Sequence, residues 1–345
     1  EQKINESTKC KIIGISLETR PDFINKYELR RLRMYGCTRV QLGVQHTNND
    51  VLKIVNRGHK VEDSEKAIKQ LKDASFKVDI HIMPDLPGTN PEIDRKMFQD
   101  VFLGESLQAD YVKIYPCLDV KYTKIREWKQ QGKWKPYAEE NGGKDLFDVL
   151  LYAKQIIPPY IRINRLQRDF PEESNTRAGF KSENIRSNLR QQLLARMKHM
   201  GKRCECIRCR EVKNKEVEQK NVKLVVRSYR ASEGIEYFIS YEDVKQDILL
   251  GFIRLRIPDT QNKKTQVFSV LSNAALVREL HVYGMMKPTT NKKSGTGVQH
   301  YGYGKKLLKK AEQITKNHEL NKVVIISGVG VRNYYRKFGY KLKET

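Results

Sequence analysis

Long hydrophobic runs are missing from this 345-residue sequence, and acidic residues are few beside basic ones. No apolar stretch reaches the roughly 18 residues that a membrane span needs, and the first residues are polar, so we expect neither a spanning helix nor a secretory signal. Lysine and arginine total 66 against 41 acidic residues, a formal charge of +25. This surplus favours a polyanion over a neutral partner, and charge alone leaves RNA, DNA and an anionic membrane open.

Cysteine is also scarce, and its distribution argues against a disulfide framework. Three of the six cysteines are dispersed, and the other three crowd into residues 204–209 of a chain without an export signal. This pattern favours a reducing, cytoplasmic compartment and a metal site over disulfide bonds.

The cysteine cluster is predicted to hold zinc in a closed, structural site. Cys204, Cys206 and Cys209 place three soft ligands within one tight turn, as a tetrahedral thiolate site requires. Cys117, His199 or another distant cysteine would supply the fourth ligand, and the sequence does not choose between them. An iron–sulfur cluster and three unpaired thiols are the alternatives. The arginines expected to offset the thiolate charge are Arg203, Arg208 and Arg210.

The first half of the chain alternates short β-rich runs with helical stretches. The runs lie at residues 12–18, 39–45, 78–83, 111–116 and 161–166. A helical apolar stripe over residues 61–76 separates the second run from the third. The alternation predicts βα units and a parallel sheet or barrel.

Each of these predicted strands has an apolar phase and a polar phase. In the first strand Ile13, Ile15 and Leu17 share the apolar phase, which should face the helices. The polar phase carries Ser16, Glu18, Gln41, Gln45, Asp79, His81, Lys113 and Tyr115. Ordinary barrels are filled with branched apolar side chains, so this pattern predicts a partial barrel around a polar ligand. The alternative is a one-sided sheet whose second face is wet.

The last third of the chain contains a glycine motif between a strand and a helix. Gln-x-x-Gly-x-Gly at residues 299–304 follows a strand over residues 277–283, and its glycines allow backbone N–H groups to approach a diphosphate at a helix N-terminus. The segment resembles the acetyl-CoA cradle of the GNAT acetyltransferases. The implied acetyl-CoA contacts are His281, Val282, Gln299, His300, Tyr301, Gly302, Tyr303, Gly304 and Lys305.

Two tyrosines and a glutamate are the candidate catalytic groups of this region. A buried strand over residues 323–327 and a tyrosine helix ending in Phe-Gly-Tyr resemble the tail of the GNAT fold. In that family a tyrosine near the thioester acts as a general acid or contacts the coenzyme, and both Tyr334 and Tyr335 fit, the other packing in the core. Glu279 is a candidate general base or a member of a structural ion pair.

Ordered motifs over nearly the whole chain extend the resemblance. They lie at residues 17–22, 43–45, 81–88, 112–116, 165–169, 278–284 and 326–330. Read together, they resemble the catalytic subunit of Elongator. The resemblance implies an α/β fold with a radical-SAM-type partial barrel at residues 1–165, a zinc-binding linker at 166–220 and a GNAT-type α+β domain at 221–345. The chain opens on Glu1, and the family's three cluster cysteines do not occur, so we expect an N-terminally incomplete sequence.

The resemblance also implies a function. That family modifies the wobble uridine of tRNA at C5, with a two-carbon unit from acetyl-CoA and a radical from S-adenosylmethionine and a 4Fe–4S cluster, to give 5-carboxymethyluridine. The implied partners are the tRNA anticodon loop and other Elongator subunits or a second copy of the chain, but no membrane. Lys113 joins the catalytic candidates. The remaining assignments are Glu18, Gln45 and His81 on the SAM side, and Arg20, Arg165 and Arg168 toward RNA.

Two other functions stay open at this point. A GNAT-like region alone also suits a protein lysine acetyltransferase, although a basic enzyme should repel basic histone-type tails. A sequence without cluster cysteines also suits a non-catalytic tRNA-binding subunit.

Overall fold

Two five-stranded sheets organise the chain. The computed structural model describes residues 1–167, 183–213, 215–259, 267–283 and 302–343, with residues 183–187 described by backbone alone. Within these ranges no helix combines the length and apolar composition that a bilayer crossing requires.

The first sheet is entirely parallel, and its strands lie side by side in chain order. Its strands are β1 (Ile15–Thr19), β2 (Cys37–Gln45), β3 (Lys77–Ile82), β4 (Tyr111–Ile114) and β5 (Arg162–Leu166). The helices of this half and of the segment after it are α1 (Gln2–Ser7), α2 (Lys26–Met34), α3 (Asn49–Ile54), α4 (Val61–Asp73), α5 (Pro91–Phe102), α6 (Lys124–Gln130), α7 (Lys144–Ile156), α8 (Glu183–His199) and α9 (Ile207–Arg210). The predicted βα units are confirmed, with strand ends shifted by at most three residues.

Asparagine caps fix where several of these helices begin. The side chains of Asn25, Asn48 and Asn90 each accept two backbone N–H bonds from the first turns of α2, α3 and α5. These bonds satisfy N–H groups that have no partner inside the helix.

The apolar phase of the central strands forms the core against the helices, as predicted. Its fully buried members are Val40, Leu42, Val44, Val78, Ile80, Ile82, Val112 and Ile114. The prediction is wrong for Ile13, which precedes β1 and is 68% exposed. Here the backbone approaches the C-terminal region instead, because the Gly330 N–H bonds the Ile12 carbonyl and a side chain at Gly328 would collide with the Ile13 carbonyl.

The second sheet is mixed, with the order β10-β9-β8-β7-β6. Its strands are β6 (Val222–Arg230), β7 (Gly234–Asp243), β8 (Ile248–Pro258), β9 (Ala275–Val282) and β10 (Val323–Ile325), and the helices α10 (Tyr303–Asn317) and α11 (Arg332–Arg336) complete it. Only β9 and β10 are parallel; the other pairs are antiparallel. Pairing of β9 with β10 ends at Val277, although β9 continues for five residues. β10 itself ends at Ile325, so the last five residues of β9 and the segment after β10 are not paired with each other; we call this region the divergence of β9 and β10.

A buried charge network joins the two sheets, and we call it the seam. Four cations meet four carboxylates there: Lys72, Arg254, Arg256 and Arg278 with Asp73, Asp110, Glu236 and Glu279. Arg278 is central, since its guanidinium donates to Asp110 at 2.6 and 2.7 Å and to Glu236 at 2.8 Å. A balanced network of this kind satisfies buried charges that would otherwise be costly.

Candidate active site and metal-binding cluster

The polar phase of the first sheet forms a hydrogen-bonded surface, which we call the inner face. Gln41 is its hub: its amide nitrogen donates to the Ser16 hydroxyl at 2.9 Å, and its oxygen contacts His81 Nε2 at 3.1 Å and the Lys113 ammonium. His81 Nδ1 also lies 3.3 Å from a Glu18 carboxylate oxygen. The structure thus brings together five residues of the predicted polar phase, which lie on four neighbouring strands.

Burial shifts two pKa values on the inner face in opposite directions. Asp79 is fully buried, and burial raises its pKa to about 6 despite a 2.7 Å hydrogen bond from Asn164. Burial and the nearby Lys113 ammonium lower the pKa of His81 to about 4, which keeps the imidazole neutral near pH 7. A buried acid and a buried neutral imidazole are inconsistent with a merely wet second face, so the structure favours the polar-interior alternative.

The C-terminal ends of β1 and β2 carry Gln45 and two arginines. Gln45 ends β2 in a left-handed conformation (φ 70°), and its carbonyl accepts the Met83 N–H at 2.7 Å. Arg20 pairs with Asp22 at 2.5 Å and lies over the Phe23 ring. Sequence reasoning missed Arg57, whose guanidinium donates to the Gly43 carbonyl at 3.1 Å while its buried Nε has no partner within the described ranges.

Of the other two arginines predicted to bind RNA, the structure describes Arg165 but not Arg168. Arg165 is exposed near the end of β5 and hydrogen-bonds Tyr115, the residue that follows β4. Tyr115 in turn contacts His81 edge-on, with ring centroids 5.7 Å apart, so Arg165 adjoins the inner face. Arg168 lies outside the described residues.

An interdomain cavity of about 360 Å³ lies between the two sheets. On one side it is lined by the N-terminal ends of β1, β2 and β3, and on the other by the diverging ends of β9 and β10. Its polar lining consists of Ser16, Thr38, Arg39, Lys77, Arg278, Glu279, His281, Ser327 and Tyr335. Lys113 does not line this cavity; it lies on the inner face.

Glu279 is committed to partners in the seam. Its carboxylate accepts from Arg254 Nε at 3.0 Å and from the Tyr111 hydroxyl of the first sheet. Burial alone would raise the pKa of Glu279, but Lys77 and Arg254 hold it below its usual range. These contacts favour the ion-pair alternative over a general base, since a base must accept a proton near neutral pH.

The two tyrosines of α11 point to different places. Tyr335 lines the interdomain cavity, and burial raises its pKa. The Tyr334 hydroxyl instead lies against the first turn of α10, where a side chain at Gly304 would collide with it. The two rings contact each other edge-on, with centroids 5.3 Å apart. One short helix therefore places one tyrosine at the cavity and the other at the N-terminus of α10.

The predicted acetyl-CoA residues divide between α10, the end of β9 and the undescribed segment. Gly302 precedes α10 in the left-handed region (φ 68°), and Lys305 is exposed in the first turn. Tyr303 is buried and packs on Tyr241, so only its backbone faces the turn. His281 lines the cavity and Val282 ends β9. The residues outside the described ranges are Gln299, His300 and Tyr301.

The three clustered cysteines come together as predicted. The sulfur atoms of Cys204, Cys206 and Cys209 lie within 4.8 Å of one another, and they are the one such group in the described ranges. None of the candidates for the fourth ligand joins them within the described ranges: Cys117 packs in a separate apolar cluster, His199 is exposed at the end of α8, and neither Cys10 nor Cys37 belongs to the group.

The arginines expected to offset the thiolate charge bond elsewhere. Arg203 and Arg210 pair with Asp247, and Arg208 donates to a backbone carbonyl of β5. The Cys209 sulfur instead accepts hydrogen bonds from Arg190 on α8 at 3.2 Å and from Lys154 on α7 at 3.9 Å. The prediction holds only for Arg208, whose charge still acts on Cys206 and Cys209. It missed Arg190 and Lys154, because it considered only neighbours in sequence, whereas helices pack distant cations against the cluster.

Comparisons with known proteins agree with this architecture. The Radical SAM superfamily profile matches residues 1–101, and the Radical SAM C-terminal domain profile matches residues 109–199. The "tRNA uridine(34) acetyltransferase" of Methanocaldococcus infernus is 43% identical over 99% of this chain and 62% of its own length. The human "Elongator complex protein 3" is 40% identical over 99% of this chain and 61% of its own length. The chain thus spans about three fifths of the curated relatives it matches.

A solved structure extends the match to three dimensions. The archaeal Elp3 of Methanocaldococcus infernus, with an N-terminal deletion, superposes with a TM-score of 0.84 at 40% identity, covering 99% of this chain and 79% of that one. The first sheet accordingly has a Radical SAM fold. On this evidence the chain belongs to the Elongator complex protein 3 family.

Proposed function

We propose that the chain is part of an enzyme that modifies the wobble uridine of tRNA at C5 with a two-carbon unit from acetyl-CoA. The observation that carries the proposal is the interdomain cavity, which adjoins the divergence of β9 and β10 on one side and the Radical SAM sheet on the other. The relatives named tRNA uridine(34) acetyltransferase support this reading. The formal charge of +25 suits an RNA partner.

The proposal assigns a domain to each sheet. Residues 1–165 would form the radical-SAM-type partial barrel, residues 166–220 the linker with the cysteine cluster, and residues 221–345 the GNAT-type domain. The break between β5 and β6 supports these boundaries, since the cysteine cluster lies between the last strand of one sheet and the first of the other.

The second sheet fits acetyl-CoA by its shape. Among the described residues no side chain caps α10 at Gly302, so backbone N–H groups of its first turn remain for a diphosphate, and Gly304 gives space there for the Tyr334 hydroxyl. Tyr335 and His281, which line the cavity, would then face the acyl end. Bound there, acetyl-CoA would supply the two-carbon unit, while Tyr335 would hold the proton that the leaving thiolate takes.

The inner face has side chains suited to bind S-adenosylmethionine, a cofactor of the Radical SAM superfamily. Radical SAM proteins use S-adenosylmethionine and a 4Fe–4S cluster, which together supply a carbon-centred radical. Here Glu18, His81 and Lys113 offer a carboxylate, a neutral imidazole and an ammonium to bind polar groups of S-adenosylmethionine. The neutral state of His81 suits hydrogen bonding rather than charge pairing.

The cysteine cluster fits zinc better than a role in the radical chemistry. It lies beside the start of β5, where the Ile207 N–H bonds the Ile161 carbonyl, and its three thiolates would supply three of the four ligands of a structural zinc site. One zinc per chain is expected by elemental analysis. Cys206→Ser should lose the metal, whereas Cys10→Ser, which changes an exposed cysteine elsewhere, should keep it; loss of metal in both would contradict the assignment.

The enzyme proposal is tested by turnover of acetyl-CoA with the full-length protein. We expect hydrolysis to be stimulated by tRNA and to fall at least about tenfold on Tyr335→Phe, because that change removes the hydroxyl from the cavity. Tyr27→Phe, which removes an exposed hydroxyl on α2, serves as the control. No stimulation by tRNA at low salt, with acetylation of a lysine peptide instead, would point to a protein acetyltransferase.

A further inference from the structure

The charges that line the interdomain cavity do not balance. Arg39 and Lys77 enter it from the first sheet, and Glu279 is the one carboxylate among its described lining residues. That carboxylate is occupied by Arg254 and by the Tyr111 hydroxyl. The cavity therefore retains positive charge, which favours an electron-rich ligand group.

The ammonium of Lys77 is a cavity donor that acts on its neighbours by charge alone. Lys77 is the first residue of β3, and its side chain is half-buried. Within the described ranges its ammonium makes no hydrogen bond or ion pair, and its charge acts on Glu279, His281 and Cys37. Arg39, by contrast, donates to the Ser16 hydroxyl at 3.1 Å and lies 5.4 Å from the Tyr111 ring centroid.

We propose that Lys77 binds the carbonyl oxygen of the acyl thioester, an inference that rests on the acetyl-CoA site of the proposed function. An ammonium has three donors and no acceptor, so it matches a carbonyl oxygen and gains strength as negative charge builds there. Because Lys77 is half-buried, water competes with this bond less than at a surface lysine.

A diphosphate is the weaker candidate for this position. The diphosphate has its own place at the first turn of α10, where backbone N–H groups and the helix dipole favour an anion. The cavity adjoins the far end of the divergence between β9 and β10, together with Tyr335 and His281. A single ammonium suits a single oxygen there, whereas a diphosphate would call for several donors.

The test compares acetyl-CoA with CoA, which lacks the acyl group. Isothermal titration of the full-length protein is carried out on wild type, Lys77→Met and Lys77→Arg. We expect Lys77→Met to weaken the affinity for acetyl-CoA about tenfold, as the loss of one charge-assisted hydrogen bond predicts. The affinity for CoA should stay within about twofold of the wild-type value. Lys77→Arg should keep part of the preference for acetyl-CoA, since it retains the donor.

Lys66→Met is the matched control, because Lys66 is an exposed lysine on α4 and the net charge changes equally. It should leave both affinities unchanged. Equal weakening of CoA and acetyl-CoA by Lys77→Met would overturn the carbonyl assignment, and so would no weakening of either, with the acetyl-CoA site intact in both cases. A wild-type protein that binds neither compound would overturn the acetyl-CoA site itself, and the assignment with it.

Discussion

The seam and the inner face both bury polar groups, but they do so in opposite ways. The seam consists of charges, four of each sign, and opposite charges hold the pKa of Asp110 and Glu279 below the usual range although burial alone would raise it. The inner face has fewer charges than the seam, and its opposite charges do not offset the effect of burial. Burial therefore raises the pKa of Asp79 and lowers the pKa of His81.

This contrast separates a structural network from a reactive surface. Asp110 and Glu279, whose charge is fixed by strong partners, do not change protonation near neutral pH, so they keep the two sheets joined. Lys72 is the exception in the seam, because burial lowers its pKa to about 8. Groups whose pKa lies near the working range can bind, donate and accept as a ligand demands. We therefore expect the seam to determine stability, and the inner face to determine how the protein responds to pH and to ligands.

Arg278→Met should give the largest effect, because it leaves Asp110 and Glu236 buried with one partner fewer. Breaking a buried ion pair from one side costs about 4 kcal/mol, and urea unfolding should report a loss of that size. Arg230→Met is the control, since Arg230 pairs with Asp259 at the surface and exposed pairs contribute less than about 1 kcal/mol. Similar losses in the two variants would remove the distinction on which the comparison rests.

Asp79→Asn should change the pH dependence of stability. The folded pKa of Asp79 is raised to about 6 from an ordinary value of 3.8, so its contribution is present below about pH 4 and is lost as pH rises through 6. A pKa difference of about 2 between the folded and unfolded states corresponds to about 3 kcal/mol in the free energy of unfolding. The amide of the variant does not titrate, so the difference in unfolding free energy between wild type and variant should change by that amount between pH 4 and 7.

His81→Gln should give the opposite slope in the same pH window. The folded pKa of His81 is lowered to about 4, so its contribution is present above its unfolded value of 6.5 and is lost as pH falls toward 4. Wild type should show partial cancellation of the two effects, and each single variant should reveal the other group. A flat difference curve for both variants would show that the inner face is open to water.

The first sheet could be predicted because its determinants are local. The alternation in β2 and β3 places Val40 and Val78 on the helix side and Gln41 and Asp79 on the other, and the structure has them so. A strand of period two allows only these two faces, so the pattern fixes the side of every residue in a regular strand.

The seam and the role of Lys77 could not be predicted, because their partners are distant in the chain. Arg278 bonds Asp110, which lies 168 positions away, and Arg256 bonds Asp73 across 183 positions. From the sequence alone, an arginine on a strand indicates a solvent-facing position. Lys77 is likewise an ordinary first residue of a strand, and its role follows only from the cavity that the second sheet closes over it.

Tyr111→Phe should give the smallest loss of stability among these variants. Tyr111 lies where the seam meets the inner face. The Tyr111 hydroxyl donates to Glu279 in the seam, and its ring lies beside Arg39, which bonds Ser16 of the inner face. The loss of one hydrogen bond to a charged group should cost about 2 kcal/mol, because Glu279 keeps Arg254. Tyr27→Phe, an exposed hydroxyl, should cost less than about 0.5 kcal/mol.

The pKa of His81, followed by NMR in Tyr111→Phe, decides whether the seam and the inner face are coupled. Arg39 and Ser16 connect Tyr111 to Gln41, and Gln41 contacts His81 at 3.1 Å, so a rearranged Arg39 should move the His81 resonance and its titration. An unchanged titration with lost stability would make Tyr111 purely a part of the seam. A shifted titration would show that a change in the partners of Glu279, which lines the interdomain cavity, is felt at the inner face, because the same hydrogen bonds join the two places.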